Sequence, residues 1–188
     1  MGNHRIGIEI KAYLAVCGHE LVWSTIMGRK LPDAGQIAEL KPDIGVSIMY
    51  PHIIPESTIG LFPWGIINLH PSLLPYCRGK YPALWSIVDH KPAGVTLHYI
   101  GAGIDTGDII AQTHIPYTES IICRELYEKC IRAGYWLFIR AWESIERGTA
   151  RGIPQPEHKA TYHNSSEVAD PEHWFDMTAG ELWDKYKC

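Results

Sequence analysis

The chain has 188 residues, of which 46% are hydrophobic and 20% charged, the balance of a folded globular domain, so wholesale disorder is excluded. That length fits one ordinary domain and can bury a core without disulfides or metals. There are 21 acidic against 17 basic residues, a net charge of −4, which argues against a dedicated nucleic-acid binder.

Taken in chain order, Ile6, Ile10, Tyr13 and Leu14 recur at helical spacing, and Gly18 stops the helix. Residues 20–26 form a short β-rich run, and 28–33 read as a loop. A short helix is expected over 35–40, ended by Lys41-Pro42, because the residue before proline avoids the α region. Residues 44–49 predict a strand, and Pro51 and Pro55 bracket a loop. The strand 65–70 ends in polar residues. A loop with two prolines and a glycine follows to Lys80, then a helix from Tyr81 to Asp89 carrying Leu84, Trp85 and Val88 on one face. Residues 94–100 alternate as a strand. Gly101 to Gly107 is a glycine-rich loop, and 109–117 is a further strand. The longest helix is expected over 120–147, with Leu126, Cys130, Ala133, Leu137 and Ala141 as its apolar stripe. From Gly148 the chain turns polar, with a last short helix over 178–187.

No run of 18 apolar residues is present, so no membrane span is expected. The first nine residues carry His4, Arg5 and Glu9 and lack the apolar region of a secretory signal. Five cysteines without a C-x-x-C pair read as reduced thiols in a cytoplasmic protein.

Helix and strand alternate through the first half, which predicts an α/β fold with a βαβ-type parallel sheet. Consecutive strands later add an antiparallel edge. Ligands of such sheets bind outside the carboxyl ends of the strands, where Asn68, His70 and the loop after His98 lie. Asn68 and His70 are two apart on a strand and share one face. A carboxamide beside an imidazole can stabilise an oxyanion and move a proton. Asp105, among three glycines, could orient His70. Taken singly, these residues are as compatible with a strand-end cap and a turn. His98 alternates with buried positions and reads as structural. Ten histidines are many, yet no H-x-x-x-H or H-E-x-x-H spacing occurs, so no metal site is expected.

Together the segments are far more specific. Asn68-Leu69-His70-Pro71-Ser72-Leu73-Leu74-Pro75, Arg78-Gly79, Gly94-Val95-Thr96-Leu97-His98 and Asp105-Thr106-Gly107-Asp108 resemble the folate-dependent formyltransferases, and most closely their sugar N-formyltransferase branch. The resemblance is dense over 43–116. It implies a doubly wound, mostly parallel twisted sheet with helices on both faces. The family's first strand is apparently missing before Gly2-Asn3. The implied domain runs over 1–150, with a C-terminal extension over 151–188.

The resemblance also implies formyl transfer from N10-formyltetrahydrofolate to the amine of a nucleotide-linked amino sugar, with Asn68, His70 and Asp105 catalytic. Folate would meet His52, Ile53, Ile54, Ile100 and Asp105, since a pterin edge suits exposed backbone groups between apolar walls. Asn3, Arg78, Lys80, Tyr81 and Trp85 are the expected substrate contacts, Arg78 and Lys80 holding the diphosphate. Partners are therefore small molecules, with neither nucleic acid nor membrane, and a homodimer is compatible with the family. The alternatives are a phosphoribosylglycinamide or methionyl-tRNA formyltransferase-like enzyme, and a reduced module that binds folate or a nucleotide sugar without turnover.

Overall fold

The computed structural model describes residues 3–24 and 30–186. Helix α1 (Asn3–Val16) buries Ile6 and Ile10 on one stripe, as their spacing predicts. It ends at Gly18, whose φ of +89° suits glycine, and the His19 N–H returns to the Leu14 carbonyl. Residues 20–24 are irregular rather than a strand, and 25–29 lie outside the described residues, so the expected loop over 28–33 is described only from Lys30 on, where it has no regular structure. Leu21 and Val22 are exposed, so β propensity there finds no sheet to pack against. Helix α2 (Ala34–Leu40) starts with a reciprocal cap: Asp33 Oδ1 accepts from the Gln36 N–H, and Gln36 Oε1 from the Asp33 N–H.

Strand β1 (Gly45–Ile48) is followed by the single-turn helix α3 (Glu56–Ile59), strand β2 (Ile66–His70) and the two-residue β3 (Arg78–Gly79). Helix α4 (Pro82–Val88) opens on proline, whose fixed φ and missing N–H suit a first helical turn. Strands β4 (Gly94–Tyr99) and β5 (Ile109–His114) lead to α5 (Cys123–Glu146). The polar tail then supplies β6 (Tyr162–His163), α6 (Pro171–Phe175) and α7 (Ala179–Lys185); the sequence marks only the last of these.

The main sheet has the order β1-β2-β4-β5. It is mixed: β1 and β2 are parallel, while β2–β4 and β4–β5 are antiparallel. A second, two-stranded sheet pairs β3 with β6 in parallel. Alternation decides the two faces of the main sheet. Ile67, Leu69, Val95 and Leu97 pack in one core with Ile6 and Ile10 of α1 and with Leu137, Phe138, Ala141 and Trp142 of α5. Gly134 allows α5 to come this close, since a Cβ there would stand 2.6 Å from Leu69 Cδ2. Truncating a fully buried ring such as Phe138 to alanine typically costs about 3–5 kcal/mol. A second core joins α4, the start of α5, α6 and α7 through Leu84, Ile87, Leu126, Trp174 and Leu182. The opposite face of β2 and β4 keeps the polar residues Asn68, His70 and His98, and the site lies there.

Candidate active site

Residues 66–70 run as a strand because Ile66, Ile67 and Leu69 are buried on either side of the pleat. This leaves Asn68 and His70 pointing together off the apolar face. Asn68 pairs in register with His98 of β4, and Asn68 Nδ2 lies 3.1 Å from His98 Nε2. The other nitrogen, His98 Nδ1, is 2.8 Å from the Tyr99 carbonyl. A carbonyl only accepts, so Nδ1 carries the proton and Nε2 accepts from Asn68. Burial pushes the His98 pKa down to about 4, and the nearby His70 pushes the same way, so the ring is neutral at pH 7.

His70 is 5% exposed. Its Nε2 donates to the Cys77 carbonyl at 3.0 Å, and its Nδ1 stands 3.5 Å from Asp105 Oδ2. Both nitrogens therefore face oxygen acceptors. Asp105 adopts a φ of +52°, and its Oδ2 accepts from the Gly79 N–H at 2.9 Å. Burial pushes its carboxyl pKa up. His70, the Gly79 N–H, His98 and Arg78 together outweigh that and hold it below the usual carboxylate value.

These groups form the floor of a cavity of about 830 Å³. Asn68, His70, Asp105, His52, Ile53, Ile54 and Ile100 all line it, as do Lys80 and Tyr81. Ile53 and Ile104 are 75% and 42% exposed at its mouth, where they offer apolar walls to a flat ligand. The far wall is unforeseen by the sequence. It comes from Arg124 and Tyr127 of α5 and from Glu172 and Phe175 of α6, with Phe175 edge-on to both Tyr81 and Tyr127. Arg124 is held there by Glu172 and Asp176 at 3.0 and 2.9 Å.

Two expected substrate contacts stand elsewhere. Arg78 is 6% exposed and absent from the cavity wall. Its guanidinium donates to Gln155 Oε1 and to both Glu157 carboxylate oxygens, so no donor face is turned to a diphosphate. Trp85 is buried with its indole stacked on His163 at 3.8 Å, and it also lies off the cavity. Asn3 opens α1, but its side chain lies outside the described residues. His98, read as structural, lines the cavity and engages Asn68. Gln155 holds the Asp105 and Gly107 carbonyls, and nothing nearby in sequence marks it.

Among the described residues no group of three His, Cys, Asp or Glu side chains is placed to hold a metal ion, and no helix is long and apolar enough to cross a membrane. Cys17, Cys77, Cys123 and Cys130 are free thiols. Burial pushes Cys77 up to about 11.

Residues 28–142 match the formyl transferase family model, so the chain belongs to that family. It is 37% identical over 127 residues to methionyl-tRNA formyltransferase of Acetivibrio thermocellus, an alignment covering 67% of this chain and 41% of that protein. The chain thus spans about two fifths of the curated relatives it matches. In structure it is similar to the formyltransferase PseJ from Anoxybacillus kamchatkensis, crystallised with UDP-4,6-dideoxy-4-formamido-L-AltNAc and tetrahydrofolate. The TM-score is 0.78 at 31% identity, covering 94% of this chain and 93% of that one. An N-formyltransferase from Helicobacter canadensis, bound to folinic acid and dTDP-3-aminofucose, gives 0.61 at 28% identity, covering 65% of this chain and 45% of that one.

Proposed function

We propose that this chain transfers the formyl group of N10-formyltetrahydrofolate to the amine of a nucleotide-linked amino sugar. The observation that carries the reading is the Asn68–His70–Asp105 cluster on the floor of one large cavity. The likeness to PseJ over nearly the whole of both chains supports a sugar substrate.

The donor supplies an electrophilic formyl carbon; the protein's residues do the rest. Asp105, held ionised, accepts a proton from the attacking amine. Asn68 has one amide N–H engaged by His98 and the second left for the oxyanion that grows on the formyl oxygen. The His70 ring stands beside it, held between the Cys77 carbonyl and the Asp105 carboxylate. Such donors act before the charge appears, so no reorganisation is needed, and each is worth about 10²–10³ in rate. The bond from the formyl carbon to the folate nitrogen then breaks. The proton held at Asp105 returns to that nitrogen, and the sum is one formyl exchanged for one proton.

Lys80 is exposed at the rim and is suited to the diphosphate, and Tyr81 and Phe175 offer ring faces to the sugar or base. Transfer to methionyl-tRNA is the second reading, favoured by the curated relatives at 37% identity. The test offers the full chain and N10-formyltetrahydrofolate to nucleotide-linked 3-amino and 4-amino sugars, phosphoribosylglycinamide and methionyl-tRNA in parallel. Formylation of an amino sugar alone supports the reading; formylation of methionyl-tRNA alone replaces it.

A further inference from the structure

Gln155 lies in the polar segment after the longest helix, 50 residues from Asp105 in sequence. It is 7% exposed and does not line the cavity. A carboxamide offers two lone pairs and two N–H groups, and here all four are taken. Oε1 accepts from Arg78 Nε at 3.2 Å and Nη2 at 2.8 Å. Nε2 donates to the carbonyls of Asp105 at 2.8 Å and Gly107 at 2.7 Å.

Those two carbonyls belong to the tight loop that carries the Asp105 carboxylate. Asp105 has a φ of +52°, a conformation that non-glycine residues keep only where neighbours over-determine it. Gly107 is pressed so closely on β4 that a Cβ would stand 1.9 Å from the Tyr99 carbonyl. At its other end Asp105 is gripped by the Gly79 N–H, and Gly79 follows Arg78 on β3. The contacts form a closed ring. Gln155 holds the Asp105 backbone directly, and through Arg78 it holds the strand that grips the Asp105 carboxylate.

We propose that Gln155 is a positioning residue for formyl transfer, one that fixes where the Asp105 carboxylate stands against His70. The inference rests on the formyl-transfer reading given above. A misplacement of a reacting group by about 1 Å can cost roughly 10²-fold in rate, so a buried clamp of this kind is worth having far from the substrate.

The test uses the full chain with Gln155→Ala and Gln155→Glu. Glutamate keeps the acceptor toward Arg78 and loses both N–H donors. Two readouts are taken on variants whose circular dichroism matches wild type: steady-state formyl transfer, and titration of the Asp105 carboxyl by carbon NMR. His70, His98 and Arg78 face that carboxyl and are intact in both variants. The expected result is a kcat lower by about 10–100-fold with both KM values within about threefold. Asp105 should bind its proton about tenfold or more tightly than in wild type, because it leaves His70 and the Gly79 N–H. An unchanged Asp105 titration in a folded variant, or a loss confined to KM, overturns the proposal, as does failure of both variants to fold. A wild type without formyl transfer sinks the functional reading, and the NMR titration still decides the role of Gln155.

Discussion

Asn68 on β2 and His98 on β4 stand opposite each other in antiparallel register, and the Asn68 amide donates to His98 Nε2 across 3.1 Å. Because the Tyr99 carbonyl holds the proton on His98 Nδ1, the acceptor at Nε2 fixes which way the Asn68 amide is turned. Its second N–H is therefore aimed before any substrate arrives. Asn68→Ala should lower kcat by about 10²–10³. His98→Leu, which frees the amide to turn, should cost less, about tenfold. Stopped-flow or coupled kinetics on the two variants checks this. A fully active Asn68→Ala removes the amide from the mechanism.

The same histidine predicts a pH dependence of stability. Its pKa is near 4 in the folded chain against an ordinary value of 6.5. Between these values the unfolded chain binds the extra proton, so stability rises with pH across this window and is lost as pH falls through it. One such group contributes up to about 1.4 kcal/mol per pH unit there. The depressed Asp105 acts in the same direction at lower pH, below its ordinary value. Urea unfolding of wild type and His98→Gln from pH 7 to 4 measures the slope, which should flatten in the variant. Parallel slopes would place the acid sensitivity elsewhere.

Arg78 is tied into the protein by Gln155 and Glu157, whereas Lys80 lines the cavity and is the cation proposed to meet the diphosphate. Arg78→Ala leaves Gln155 Oε1 and Glu157 without their donor and should destabilise the fold by about 1–3 kcal/mol. Lys80→Ala should leave the melting temperature within about a degree, as surface substitutions do, and raise the KM for a nucleotide-linked sugar roughly threefold to tenfold. Calorimetry and substrate titration on both variants distinguish them. A Lys80→Ala chain that loses stability instead reverses the assignment.

How far the sequence reaches is clearest from these two residues. In sequence both lie in one stretch with two prolines and a glycine that reads as a loop, and a cation there reads the same whether it faces phosphate or protein. The partners that decide the matter for Arg78 are Gln155 and Glu157, 77 and 79 residues further on, in a polar tract with no periodicity. The Asn68-Leu69-His70 strand and the Asp105 loop were legible because alternation and glycine spacing are local signals. So were α1 and α5, whose apolar residues recur every three or four positions. The strands β3 and β6 are two residues each, and they exist only because distant segments meet; no local propensity announces them. The β-rich residues 20–24 show the converse, propensity without a partner.

Gly107 carries a further prediction. A methyl group there would overlap the Tyr99 carbonyl at 1.9 Å, and backbone cannot swing aside as a side chain can. Gly107→Ala should displace the Asp105 loop and lower kcat by about 10² or more while the helices keep their circular dichroism. Full activity in that variant would show that the loop has room the structure does not give it.

The central claim is that this cluster moves a formyl group from folate to an amino sugar. The direct measurement is label transfer: N10-formyltetrahydrofolate carrying carbon-13 in its formyl group, a nucleotide-linked amino sugar, and mass spectrometry of the products with wild type and Asp105→Asn. The account predicts labelled formamido sugar with wild type, formed at least about 10² times more slowly with Asp105→Asn. Label that stays on folate or appears as free formate with wild type, or equal rates in the two chains, would contradict it.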